Sequence, residues 1–151
     1  MTVRLSTGLR TSLAGTTGFG ATFANGVIDV YSGSQPNSAD AAVTGTLLGT
    51  VTLNSGAFTP GAATNGLTFA AAAAGTVAKS GVWSFNGVAA GTAGWFRFRG
   101  NAADAGALST ALPRLDGSIA TSGADLNLSN ISIAVGAPNT VDTFTWTQTA
   151  S

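Results

Sequence analysis

The stretch GWFRFR at residues 94–99 decides the fold class, because two kinds of residue alternate strictly along it. One set of alternate positions holds Trp95, Arg97 and Arg99, and the other holds Gly94, Phe96 and Phe98. Successive side chains of a β-strand point to opposite faces of a sheet. The pattern therefore predicts a strand with one aromatic face and one face that carries arginines.

Further runs of β-branched and aromatic residues lie on both sides of this strand. They cover residues 27–31, 43–53, 67–70, 75–79, 82–86, 115–120, 124–128, 131–135 and 141–147. In the run 43–53, threonines recur at alternate positions, which is typical of the solvated face of an antiparallel sheet. Asn-Gly, Pro-Gly and Asp-Gly turn sequences separate the runs. The sequence predicts an all-β fold, an antiparallel β-sandwich that is jelly-roll-like, with at most one helical turn in residues 101–111.

The N-terminal segment has a different period. Its apolar stripe consists of three leucines at every fourth position, Leu5, Leu9 and Leu13. Ser6 or Thr7 would begin this short helix and Gly15 would end it. We therefore divide the chain into an N-terminal arm or short helix (1–17) and a single β-sandwich domain (18–151). The helix would either dock on a neighbouring molecule or cap one end of this chain's own core.

Composition excludes several classes of function. Only 8% of the 151 residues are charged, the formal net charge is zero, and there is no Cys and no His. The chain therefore lacks thiolate ligands and the most common general acid–base residue, and we expect no cofactor and no metal. The sparse and balanced charges give no electrostatic footprint for nucleic acid. The longest apolar run is far too short to span a bilayer, which takes about 20 residues.

Two groups of residues are candidates for chemistry or binding. Asp116 and Asp125 might meet across a hairpin as a carboxylate pair or a calcium site, but Asp116-Gly117 is more simply a turn. The face of Trp95, Arg97 and Arg99 would suit a protein interface, a sugar-stacking surface, or arginines that cover a tryptophan and bond to Asp104 or another aspartate. We favour structure or a protein interface over a small-ligand site. Trp83 and Phe85 are predicted to belong to the core.

The overall composition favours a structural or interaction protein over an enzyme. Low charge removes the repulsion that keeps copies of a protein apart, and small side chains allow sheet edges to approach closely. Few long charged side chains also means that little side-chain entropy is lost at a contact.

Three blocks of the sequence resemble a family of small virion proteins of tailed bacteriophages. They are VIDVYSGSQPNSADAAVTGTLLGTVTL from residue 27, SGVWSFNGVAAGTAGWFRFRG from residue 80, and LPRLDGSIATSGADLNLSNISIAVG from residue 112, followed by VDTFTWTQ. The resemblance extends from Val27 nearly to the end of the chain. These blocks carry turns and core rather than catalytic groups.

The resemblance implies a non-enzymatic capsid cement or decoration protein, located on the capsid surface of the virion and assembled in the host cytoplasm. Its expected partners are the major capsid protein and itself, as a homodimer or homotrimer, with no nucleic acid and no membrane. The candidate interface residues are Arg4, Leu5, Leu9, Arg10, Trp95, Arg97 and Arg99. Alternatives are a neck, tail or head-fibre component, or a carbohydrate-binding β-sandwich that uses Trp95.

Overall fold

A computed structural model describes residues 3–149. The fold is all-β and sandwich-like, with antiparallel sheets and two short helices, which confirms the predicted class. Its helices are α1 (Thr7–Ala14) and α2 (Phe19–Phe23). Its strands are β1 (Arg4–Leu5), β2 (Val27–Ser32), β3 (Leu47–Leu53), β4 (Thr68–Phe69), β5 (Thr76–Ser80), β6 (Trp83–Asn86), β7 (Gly91–Arg99), β8 (Arg114–Ala120), β9 (Leu126–Asn127), β10 (Ser132–Ile133), β11 (Pro138–Val141) and β12 (Thr145–Thr147).

The strands form two sheets. The large sheet has the order β1-β8-β7-β2-β3-β6-β11, with β9 beside β8 and β10 beside β7. The small sheet has the order β12-β5-β4. Among the described pairings of named strands, only β8 with β9 is parallel. The predicted strand 94–99 is the C-terminal part of β7, which pairs with β2 on one side and β8 on the other.

The core lies between the large sheet and a layer made of α2 and the small sheet. Phe98 on β7 is at its centre, with its ring 4.5 Å from that of Phe23 on α2 and 6.0 Å from that of Phe69 on β4. Trp83 and Phe85 are buried in this core, as predicted. Ring contacts join seven aromatic residues into one continuous cluster: Phe19, Phe23, Phe69, Trp83, Phe98, Phe144 and Trp146. Tyr31 and Trp95 stack on each other outside this cluster.

The N-terminal segment is part of this structure. Ser6 caps α1 by accepting a hydrogen bond from the Leu9 amide, and Gly15 follows the helix, so the predicted helix boundaries are confirmed. β1 pairs with β8, and Leu9 is completely buried in the core cluster. The helix therefore caps the chain's own core.

Three local predictions are wrong. Residues 141–147 do not form one strand. The chain leaves β11 of the large sheet after Val141, buries Phe144 in the core, and continues as β12 of the small sheet. The run 43–53 begins its strand only at Leu47, because Gly45 adopts a φ of +79° and bends the chain. Thr52 on that strand is buried, so the threonine face is not fully solvated. Residues 101–111, where the sequence allows at most one helical turn, contain no helix, so this prediction is not among the wrong ones.

Candidate functional site

The face of the large sheet that points away from the core carries a row of charged and polar side chains. In the registers of neighbouring strands, Arg4 lies opposite Asp116, Asp116 opposite Arg97, Arg97 opposite Asp29, and Asp29 opposite Thr50. Positive and negative groups therefore alternate across four strands, and the neutral Thr50 continues the row on a fifth. We call this the charged row.

Arg97 is the centre of the charged row. Its Nε and Nη2 atoms donate to the two carboxylate oxygens of Asp116, each at 2.7 Å, and its guanidinium lies 5.6 Å from the ring centre of Trp95. Its Nη1 atom donates to the carbonyl oxygen of Ala41 at 3.0 Å. Since Ala41 belongs to the loop between β2 and β3, this arginine fastens that loop over the sheet.

Arg114 also fastens a loop, whereas Arg99 joins two strands of the sheet. Arg114 donates to both carboxylate oxygens of Asp104, at 2.7 and 2.6 Å, and to the carbonyl oxygen of Ala107 at 2.8 Å. Arg99 donates to Asp29 at 2.6 Å, and that carboxylate also accepts a hydrogen bond from Thr50. The loops 33–46 and 100–113 are thereby held over the charged row, and Val43 and Gly106 join them to each other through a backbone hydrogen bond of 2.9 Å.

The ionisable groups of this layer are tuned by burial and by their partners. Burial raises the pKa of Asp116, and the bonds from Arg97 oppose that effect. Burial also acts to raise the pKa of Asp104, but the bonds from Arg114 and the Gly106 amide prevail and hold it below its ordinary value. Burial, with the nearby Asp29 carboxylate, raises the pKa of Tyr31 to about 12. Both oxygens of Asp116 and of Asp104 accept hydrogen bonds from an arginine, so these carboxylates serve the fold.

The structure corrects three of the predicted interface residues. Trp95 and Leu9 have no exposed surface and Arg97 is 1% exposed. A side chain without accessible surface cannot contact a partner, so these residues are structural in this fold. Arg99 keeps partial exposure beside Phe58, whose ring centre lies 5.3 Å from its guanidinium. Burial also excludes the sugar-stacking role considered for Trp95. Its ring instead stacks on that of Tyr31, with the ring centres 4.6 Å apart.

The other three predicted interface residues lie together at the surface. Arg4, Leu5 and Arg10 line a shallow groove of about 390 Å³, which loop residues 37–39 complete. We call it the N-terminal groove. Arg4 donates to the Pro36 carbonyl at 2.7 Å. Arg10 is exposed and donates to the Thr7 hydroxyl at 3.0 Å.

Asp40 borders this groove but is already bound. It accepts hydrogen bonds from the amide and hydroxyl of Thr7, at 2.8 and 2.7 Å. Partial burial acts to raise the pKa of Asp40, but these two bonds lower it below its usual value. Within residues 3–149 the ion pairs are Arg97–Asp116, Arg99–Asp29 and Arg114–Asp104. Arg4, Arg10 and Lys79 take part in none of them, so the N-terminal groove carries two of the three cations that the described fold leaves without an ion pair.

A second groove lies between the helices and the small sheet. It has a volume of about 640 Å³, and the rings of Phe19, Phe69 and Trp146 line it together with Leu13 and Val77. The rings of Phe19 and Trp146 stack at 4.6 Å. We call it the aromatic groove. Sequence reasoning missed it, because its walls come from residues more than 100 positions apart and no local pattern joins them.

The suggested carboxylate pair does not form. Asp116 lies in the middle of β8, so the interpretation of Asp116-Gly117 as a turn is wrong. Asp125 instead accepts hydrogen bonds from the amide and hydroxyl of Ser118. A search of residues 3–149 found no cluster of three or more His, Cys, Asp or Glu side chains that could hold a metal ion. Neither helix in this part of the chain is long and apolar enough to cross a membrane.

Comparison of the chain with protein-family models, characterised proteins and solved structures produced no match.

Proposed function

We propose that this chain is a non-enzymatic structural protein of a tailed-phage virion, a capsid cement or decoration protein that docks on major-capsid subunits. The sequence resemblance described above is one support. The other is how the fold uses its chemical groups. Its buried arginines and aspartates hold loops in place instead of forming a reactive site.

One observation carries the choice of docking surface. Three of the six cations are neutralised in ion pairs inside the described fold, whereas Arg4 and Arg10 lie on the same accessible groove without a paired carboxylate. Charged groups placed this way steer association and fix the register of a complex. The proposed docking site is therefore the N-terminal groove, and the complementary element on the capsid is an acidic segment.

The rigidity of the groove also favours a binding role. Its floor is β1, which is paired with β8. Its wall is loop 33–46, whose backbone carbonyls accept hydrogen bonds from Arg97 and Arg114. A surface held in one conformation loses little entropy on binding. Every docked copy stabilises the capsid state that it binds, by mass action.

The proposed function can be tested by binding the purified chain to capsids that lack it. Arg10→Glu changes an exposed side chain and should weaken binding at least about tenfold. Lys79→Glu makes the same change of charge on the small sheet, away from the groove, and should bind like the wild type. Equal binding of all three proteins would refute docking through the N-terminal groove, and failure of the wild type to bind would refute the capsid role.

A further inference from the structure

We propose that two copies of this chain associate through the free edge of β12, pairing antiparallel about a two-fold axis at Trp146. β12 is the outer strand of the small sheet, and its neighbour on the inner side is β5. This surface is separate from the N-terminal groove. The inference stands whether or not the protein docks on a capsid.

The hydrogen-bond pattern shows which backbone groups face outward. The Gln148 amide donates to the Gly75 carbonyl at 2.8 Å, and the Lys79 amide donates to the Phe144 carbonyl at 3.0 Å. In an antiparallel pair the bonded positions alternate along the strand, so Trp146 is the next bonded position. The amides and carbonyls of Thr145 and Thr147 therefore point away from β5, toward the outside of the sheet.

Among residues 3–149, nothing gives this edge the usual protection, and no other strand pairs with its outer side. Natural edge strands are commonly blunted by lysine, proline or a bulge, or covered by another element. Residues 143–149 read TFTWTQT and contain no charge and no proline. Thr145 and Thr147 are exposed, and Trp146 is partly exposed. The chain's net charge of zero also means that two copies do not repel each other.

The sequence of this segment matches a second copy of itself. Read outward from Trp146 in both directions, the sequence has threonine on both sides at the first and third steps: Thr145 corresponds to Thr147, and Thr143 to Thr149. A two-fold axis at Trp146 would place Thr145 of one copy opposite Thr147 of the other. Threonines opposite each other across antiparallel strands are a favourable pair.

The pairing also satisfies the outward backbone groups. Thr145 and the second copy's Thr147 would form a hydrogen-bonded pair with two bonds, and the symmetric pair would add two more. The two Trp146 residues would form the close, non-bonded pair between them. Their rings lie on the face that carries the aromatic groove, so each ring would close the end of the other copy's groove.

Such an edge is short, so the dimer should be weak. The dimer interface would bury less surface than stable interfaces do, which bury at least about 1,200 Å² in total. Sedimentation velocity should be measured from micromolar to millimolar chain concentration, and we expect a reversible monomer–dimer equilibrium. A wild-type protein that stays monomeric throughout this range would overturn the proposal.

Thr147→Pro tests the backbone. It removes the outward amide, and with it two of the four bonds across the axis, and it leaves the backbone bonds to β5 intact. The exposed hydrogen bond between the Thr147 and Thr76 hydroxyls is also lost, but water replaces it at little cost in stability. The dissociation constant should rise at least about tenfold while the melting temperature stays near that of the wild type. An unchanged dissociation constant would show that any dimer uses another surface.

A pair of double variants tests the register independently of proline. In Thr145→Lys/Thr147→Lys, lysines of the two copies would lie opposite each other, and the dimer should be lost. In Thr145→Lys/Thr147→Glu, each lysine would lie opposite a glutamate of the other copy, and the dimer should persist and become sensitive to salt. Loss of the dimer in both variants would overturn the antiparallel register.

Discussion

Arg97 and Asp116 form a bidentate ion pair across β7 and β8, with the side chains 1% and 0% exposed. Two charges are rarely taken out of water together unless each is fully bonded. Here the third guanidinium nitrogen reaches the Ala41 carbonyl, so the pair joins two strands to the loop above them.

Removing only one of the two charges of this pair should strongly reduce the stability of the fold. Asp116→Asn leaves the buried guanidinium without its counter-ion, and we expect it to reduce the free energy of unfolding by about 3–5 kcal/mol. The double variant Arg97→Met/Asp116→Leu should lose less than the sum of the single changes, because neither charge is left alone. Denaturant unfolding of the wild type, Arg97→Met, Asp116→Leu and the double variant measures this, and additive losses would contradict a coupled pair.

Tyr31 should lose its hydroxyl proton only at an unusually high pH. Burial raises its pKa from the ordinary value of 10.0 to about 12, and it is the chain's only tyrosine. Between these values the unfolded chain releases a proton that the folded chain keeps, so this contribution to stability is present below pH 10 and is lost as the pH rises toward 12. Absorbance at the tyrosinate band should show one transition near pH 12 in the folded protein. A transition near pH 10 without unfolding would mean that Tyr31 is not buried as described.

Two tryptophans should respond differently to replacement by phenylalanine. Trp83 donates its indole N–H to the Ser80 carbonyl at 3.1 Å, whereas the buried indole N–H of Trp95 has no hydrogen-bond partner among the described residues. Both changes remove similar volume, but only Trp83→Phe also breaks a hydrogen bond. It should therefore cost about 1 kcal/mol more than Trp95→Phe in thermal or denaturant unfolding. The reverse order would contradict these assignments.

Docking through the N-terminal groove should depend on ionic strength. Arg10 is exposed, and its attraction to an acidic segment is screened within about 8–10 Å at physiological salt. The affinity for capsids should fall as salt rises, and Arg10→Glu should abolish most of that dependence. An affinity that does not respond to salt would point to an apolar contact, such as one through Leu5.

Much of the fold could be predicted from local patterns, and much of the site could not. Alternation along 94–99 identifies β7, and a stripe that contains Leu9 identifies α1, because both depend on near neighbours in the chain. The burial of Trp95 and Arg97 depends on loops 33–46 and 100–113 folding over an otherwise polar face. Alternation reports which side chains share a face but does not report what covers that face.

The interface candidates illustrate the same limit. Arg4 and Arg10 are near each other in sequence, and their place on one surface follows from a short strand and a helix that continue one another. By contrast, the sequence does not determine which aspartates pair with the buried arginines. The sequence allows Asp104 or another aspartate as the partner of the arginines of β7, and the fold pairs them with Asp116 and Asp29. Asp104 pairs instead with Arg114, which sequence reasoning does not single out.

The proposed function predicts that this chain is an abundant component of purified phage particles, and measuring that abundance tests it most directly. Mass spectrometry should quantify it against the major capsid protein. A cement or decoration role predicts copy numbers comparable with those of the capsid protein. A dozen copies or fewer, on the order of one cyclic assembly, would assign it to the neck, tail or head fibre instead. Absence from the particles would contradict the virion role altogether.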